Sequence, residues 1–245
     1  MHRRFSLAPI TALALLTFAA ALPSALSQTR LDVFVTPIPN VPFSAVIKVE
    51  RAMVLPDGSI ANLKTFRDIG RDSVGRIFNE SRELLPESST KTPQVLGIHL
   101  YDPQTRVSAR LNPLERTFRS GVVNRPPATV PPALLYASPT GNTVPQNEFT
   151  KEEDLGTREI EGVLAHGVRD TQTIPADSSG TGKEILITDE YWYSEELRIN
   201  VVLKHNDPST GSVSMTVTQV TRAEPDANLF KIPEGYTRVA GDARD

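Results

Sequence analysis

The chain has 245 residues, no cysteine, and 26 basic against 29 acidic side chains, for a formal net charge of −3. That length allows one or two domains and a core that needs no disulfide. Absence of cysteine excludes thiol catalysis and thiolate metal sites, and scattered basic residues on an acidic chain exclude a nucleic-acid footprint.

The basic opening Met1-His2-Arg3-Arg4 leads into a mostly apolar run, 5–22, and then Ala25-Leu26-Ser27. This order predicts a secretory signal peptide, residues 1–27, cut after Ser27. Pro9 and Pro23 border an apolar run of about a dozen residues, shorter than the ~20 that span a bilayer as a helix, so no transmembrane segment is expected after the cut. The expected location is the periplasm or the outside of the cell. Residues 28–42 contain Pro37, Pro39 and Pro42 and predict an extended entry segment.

Strand periodicity begins at Phe43, with Phe43, Ala45, Ile47 and Val49 on one face. Pro56-Asp57-Gly58 predicts a tight turn and 59–68 the return strand. A second turn at Arg71-Asp72-Ser73-Val74-Gly75 precedes a third strand at 76–80. Residues 95–101 and 105–111 give two further strands, separated by Asp102-Pro103. Prolines 126, 127, 131, 132, 139 and 145 make 124–150 a long loop or linker, which either separates two domains or, the reading narrowly preferred, crosses the open side of a single curved sheet. Lys151-Glu152-Glu153-Asp154 is expected as a solvated approach, followed by strand candidates at 155–160, 163–173 and 184–187.

The stretch 191–236 is the most informative. The aromatic cluster Tyr191-Trp192-Tyr193 precedes an alternating strand at 197–204. A turn at Asp207-Pro208-Ser209-Thr210-Gly211 then leads into a second strand through Val213, Met215 and Val217. The expected fold is mainly β: a curved antiparallel, half-barrel-like sheet forming a single domain over 43–236, with one or a few short helices, the proline-rich loop, and a frayed tail at 237–245.

Two functional classes follow. A binding module would take a hydrophobic ligand (a lipid or acyl chain) or an envelope protein in the hollow of its sheet. Ala45, Ile47, Ile98, Leu100, Leu197, Ile199, Val201 and Trp192 are placed near that surface, with Tyr191, Trp192, Tyr193, Ile199 and Val201 as candidate ligand contacts. The alternative is a saccharide-active or other hydrolase using Glu190 and Glu195 beside the aromatic cluster, since glycoside cleavage needs one protonated and one charged carboxyl. Against it, Asp189-Glu190 and Glu195-Glu196 also suit a solvated rim. His99, His166 and His205 lie in separate strand regions without metal-ligand spacing, and the glycines match no phosphate loop, so no metal or cofactor is expected.

Several segments resemble a family of exported proteins of acidobacterial type that has no assigned activity: 43–50, 72–76, 101–103, 154–163 and 191–236. The hairpin turning at 207–211 and the ending Leu229-Phe230-Lys231-Ile232-Pro233-Glu234-Gly235-Tyr236 are similar to the periplasmic lipoprotein-carrier and sigma-regulator sensor (LolA/RseB-like) superfamily. That resemblance implies a half-barrel with helices on its concave side, receiving acyl chains or peptides.

Overall fold

The computed structural model describes residues 32–124 and 147–241. The expected signal peptide and almost all of the proline-rich loop lie outside these residues, so the expected crossing of the sheet by that loop does too. Among the described residues no helix is long and apolar enough to cross a membrane.

The strands are β1 (Phe43–Val54), β2 (Ile60–Arg71), β3 (Ile77–Arg82), β4 (Leu85–Pro86), β5 (Val95–Asp102), β6 (Val107–Asn112), β7 (Thr117–Val122), β8 (Thr150–Ile160), β9 (Val163–Ile174), β10 (Ile185–Ser194), β11 (Ile199–Asp207), β12 (Gly211–Thr221) and β13 (Thr237–Arg238). A 3-10 turn, Ala227–Phe230, is the one helical element among the described residues. All strands share one open sheet in the order β13-β7-β6-β5-β3-β2-β1-β12-β11-β10-β9-β8, with β4 beside β2. Two antiparallel meanders, β1–β7 and β8–β12, are zipped together where β1 meets β12. Gly211 makes this junction possible: its φ is +116°, and a Cβ there would stand 2.0 Å from the Ala52 carbonyl oxygen. The mainly β, unclosed sheet agrees with the periodicity.

The sequence placed too few strands. Thr117–Val122 lacks clean alternation yet forms β7, and Thr237–Arg238, expected to fray, pairs parallel with it. Residues 151–154 belong to edge strand β8, with their side chains exposed as expected.

Directly opposed residues in neighbouring strands point to the same face, which sorts the side chains. Tyr191, Leu203, Met215, Val49 and Thr65 form one continuous row on face A. Trp192, Val202, Thr216, Lys48 and Phe66 form the neighbouring row on face B. The larger apolar core lies mainly on face A, around Phe43, Ala45, Ile47, Val49, Ile69, Ile199, Val201 and Leu203, and it takes in Val33 and Val35 of the entry segment. A smaller core of Phe78, Leu100, Ala109 and Leu111 is closed by Phe230. Its strand residues lie opposite Gly70, on face B. Ile98 and Leu100 therefore do not share a surface with Ala45 and Ile47, as the alternation pattern alone had suggested. Ala45 pairs through Ile69 and Asn79 to His99, the neighbour that points the other way.

One side chain ties the entry segment to the sheet. Arg71 is wholly buried and donates from Nε to Val41 O (2.8 Å), from Nη1 to Thr36 O (2.7 Å) and from Nη2 to Leu197 O (2.8 Å). The Phe43 ring lies 4.9 Å beneath its guanidinium. Burial lowers the Arg71 pKa to about 10, with opposing help from Tyr193, and the group stays charged at neutral pH. Thr36 Oγ1 adds a bond to Arg198 O at 2.8 Å, and Asn40 N donates to Ser73 O at 2.9 Å.

Replacing Arg71 with Met removes these donors from two buried carbonyls, Thr36 and Leu197, and from that of half-buried Val41. We expect a loss of about 3–5 kcal/mol in urea unfolding, with Arg71→Lys recovering little because an ammonium lacks the planar fork. A loss under about 1 kcal/mol would refute the assigned role.

Candidate functional site

The aromatic cluster sits at the end of β10, where the pairing with β11 slips one register between Trp192 and Tyr193. Tyr191, Trp192 and Tyr193 are all less than one-tenth exposed, and Ile199 and Val201 are at most 1% exposed. A ligand reaches these five side chains only if the material packed over them moves.

The Trp192 ring lies flat on Gly167, where a Cβ would come within 2.7 Å of it, so only glycine fits beneath the indole. The Arg158 guanidinium stacks on the ring at 3.8 Å. Trp192 Nε1 donates to Glu190 Oε1 at 2.8 Å. The same oxygen accepts from Lys204 Nζ at 2.9 Å, while Oε2 accepts from Arg169 Nη2 at 2.9 Å. Arg169 reaches on to Glu153 at 3.4 Å. Across β8, β9, β10 and β11 the row Glu153–Arg169–Glu190–Lys204 alternates in sign.

Burial alone raises the Glu190 carboxyl. The hydrogen bonds from Trp192, Lys204 and Arg169, with the Lys204 charge, outweigh it and bring the pKa down to about 2. Such a group stays ionised at any physiological pH and cannot serve as a general acid. Glu195 stands in the β10–β11 turn, exposed and paired with Arg198 at 2.8 Å. Four residues of β10, Tyr191 to Ser194, separate it from Glu190, roughly 15 Å along the chain at the strand rise. The two carboxyls do not form the acid–base pair that the hydrolase alternative needed.

The three histidines stay apart. His99 Nε2 meets Ser108 Oγ at 3.0 Å, His166 Nε2 meets Asp154 at 2.8 Å, and His205 Nδ1 meets Asp189 at 2.8 Å. Among the described residues no three His, Cys, Asp or Glu side chains are grouped to hold a metal ion.

The feature that the sequence flagged only through Ile98 and Leu100 is the small core on face B. Phe78, Ile98, Leu100, Ala109, Leu111 and Phe118 are packed against Phe230 and Tyr236. Both come from the segment 222–241, which leaves β12 and passes over β1, β2, β3, β5 and β6 to reach β7. Of this strap only Phe230 is buried. The strap's other ties are exposed: Arg222 to Glu196 and to Gly162 O (2.9 Å), Asp226 capping Asn228 N (2.9 Å), Glu224 accepting from Ser73 (3.1 Å), Thr237 N to Arg116 O (2.9 Å), Arg238 to Ser120 O (3.1 Å), Val239 N to Phe118 O (2.9 Å) and Arg119 Nε to Ala240 O (3.3 Å). The Arg76 guanidinium covers the outer side of Phe230 at 5.2 Å. The sequence signal was Leu229-Phe230, followed by Ile232, between Asp226 and Pro233.

No family model and no curated protein matches the chain. Among solved structures it is similar to the Pseudomonas aeruginosa MucA/MucB complex, at 13% identity and a TM-score of 0.36, covering 78% of this chain and 55% of that one. The chain thus spans little more than half of that protein. It is also similar to a LolA superfamily protein from Nitrosomonas europaea, at 10% identity and a TM-score of 0.31 over 80% and 92% of the two chains. A third likeness is to the Mycobacterium tuberculosis lipoprotein LppX, at 14% identity and a TM-score of 0.25 over 74% and 88%. These overlaps are too slight to carry a function across.

The depressed Glu190 pKa has a consequence for acid stability. Its ion pairs contribute in full above the ordinary carboxylate range and are lost as pH falls from about 4.5 toward about 2. We expect Glu190→Gln to flatten the stability–pH curve in that window, read by denaturant melts at successive pH values. An unchanged slope would show that the carboxylate is not held as described.

Proposed function

We propose that the protein is an exported, non-enzymatic module of the cell envelope that binds an acyl-chain-like hydrophobic ligand in the face-B groove beneath the 222–241 strap. One observation carries the reading: an apolar floor of Phe78, Ile98, Leu100, Ala109, Leu111 and Phe118 is closed by a segment with a single buried side chain, Phe230. Burial of one phenylalanine contributes about 1.5–3 kcal/mol, so lifting the strap costs little compared with opening the main core.

Tyr191, Trp192, Tyr193, Ile199 and Val201 act in this reading as the rigid part of the sheet, not as ligand contacts. The ion-paired state of Glu190 supports binding over hydrolysis. The order of the N-terminal residues supports export.

Removal of the plug supplies the test. We expect Phe230→Ala to bind a fluorescent fatty acid such as cis-parinaric acid several-fold more tightly than the wild type, and Phe118→Asp to abolish binding. Trp192→Phe should bind as the wild type does. Absence of binding by both the wild type and Phe230→Ala would overturn the reading, and binding of an apolar peptide but not the fatty acid would replace the acyl chain with a protein partner.

A further inference from the structure

Face A of the β5–β7 half carries a row of a different kind. His99, Arg110 and Arg119 stand directly opposite one another on β5, β6 and β7, with Asn79 continuing the row on β3. Like charges directly opposed across antiparallel strands repel. Elsewhere the sheet answers its charges: Glu153–Arg169–Glu190–Lys204 alternates in sign with each neighbour bonded, and the acidic run Glu152–Asp170–Asp189 ends on His205.

No such compensation reaches the basic row among the described residues. Among the described residues no carboxylate pairs with Arg110 or Arg119, although the same half of the sheet pairs Arg76 with Asp72 and Arg82 with Asp68 and Glu80. Among the described residues Arg119 makes one bond, from Nε to the Ala240 carbonyl at 3.3 Å. The two nearest acids of these strands serve their own turns: Asp102 accepts from Gln104 N at 2.8 Å, and Glu115 from Thr117 Oγ1 at 3.5 Å. Both arginines are exposed, while Ser108, which holds His99 Nε2 at 3.0 Å, is buried. Burial first, and the Arg110 charge second, lower the His99 pKa, so the imidazole registers the positive field of its neighbour.

We propose that Arg110 and Arg119, with His99 at their flank, bind a phosphate group. A carboxylate has two oxygens and is satisfied by one guanidinium fork. A phosphate offers three or four, enough to bridge two forks facing each other across adjacent strands. The bound anion supplies the charge that the sheet itself omits here. Phosphate chemistry reaches such a surface as a lipid headgroup or as a soluble phosphate. This site lies on the face opposite the strap-covered groove and does not depend on that groove binding anything.

The imidazole of His99 provides the readout in the full chain, observed by NMR at fixed pH and constant ionic strength. Inorganic phosphate, or vesicles containing phosphatidylglycerol but not vesicles of phosphatidylcholine alone, should shift the His99 signals saturably and leave those of His166 and His205 in place. Saturation by inorganic phosphate assigns a soluble ligand; a response to the anionic vesicles alone assigns a headgroup. Arg110→Gln/Arg119→Gln should weaken binding at least tenfold without lowering the urea midpoint, because the variant removes a repulsion. A His99 response no larger than that to chloride, or a double variant that responds like the wild type, would overturn the proposal.

Discussion

A buried guanidinium that no carboxylate of the described residues neutralises stands at the centre of this fold. Arg71 leaves water completely, which costs several kcal/mol for an isolated charge, and recovers that cost only through three short bonds to carbonyls and the face of Phe43. Those carbonyls belong to the entry segment and to the β10–β11 turn, while Arg71 itself ends β2. Three regions far apart in the chain are thereby fixed to one planar group. Gly75 shows how closely they meet: a Cβ there would stand 3.1 Å from the Ile38 backbone.

This constraint divides the molecule into two kinds of cover. The entry segment, locked by Arg71 and bearing the buried Val33, Val35 and Thr36, seals the main core on face A. The C-terminal strap seals the smaller core on face B with one ring and a few exposed hydrogen bonds. The two seals differ in what must be broken to open them. Opening the first strands a buried charge, whereas opening the second exposes a phenylalanine and releases bonds that water replaces.

Much of the architecture could be read from periodicity. Phe43, Ala45, Ile47 and Val49 alternate cleanly, Pro56-Asp57-Gly58 turns as its residues require, and the hairpin through Asp207 to Gly211 falls where proline and glycine put it. Allocation of faces could not be read, because it depends on which strands become neighbours. Ile98 and Ala45 both looked inward-facing, and the β1–β2–β3–β5 pairing sends them to opposite sides. The register slip at Trp192/Tyr193 has the same effect, since a bulge changes which neighbours a side chain meets without changing local composition. Arg71 gave no signal either. It reads as a turn residue beside Asp72, and its acceptors lie 30 to 126 positions away. The carboxylates beside the aromatic cluster read as an acid–base pair or as a solvated rim, and Glu190, buried and ion-paired, is neither. Its partners Arg169 and Lys204, which come from the two flanking strands, turn that charge into an ion-paired support.

Native-state hydrogen exchange of the full chain measures the difference between the two covers most directly. The account predicts that the amides of Lys231, Thr237 and Val239 exchange through a low-energy opening, orders of magnitude faster than those of Ile47, Val201 and Leu203, which exchange only on global unfolding. Equal protection of the strap and the main core, or loss of both in a single cooperative step, would contradict it.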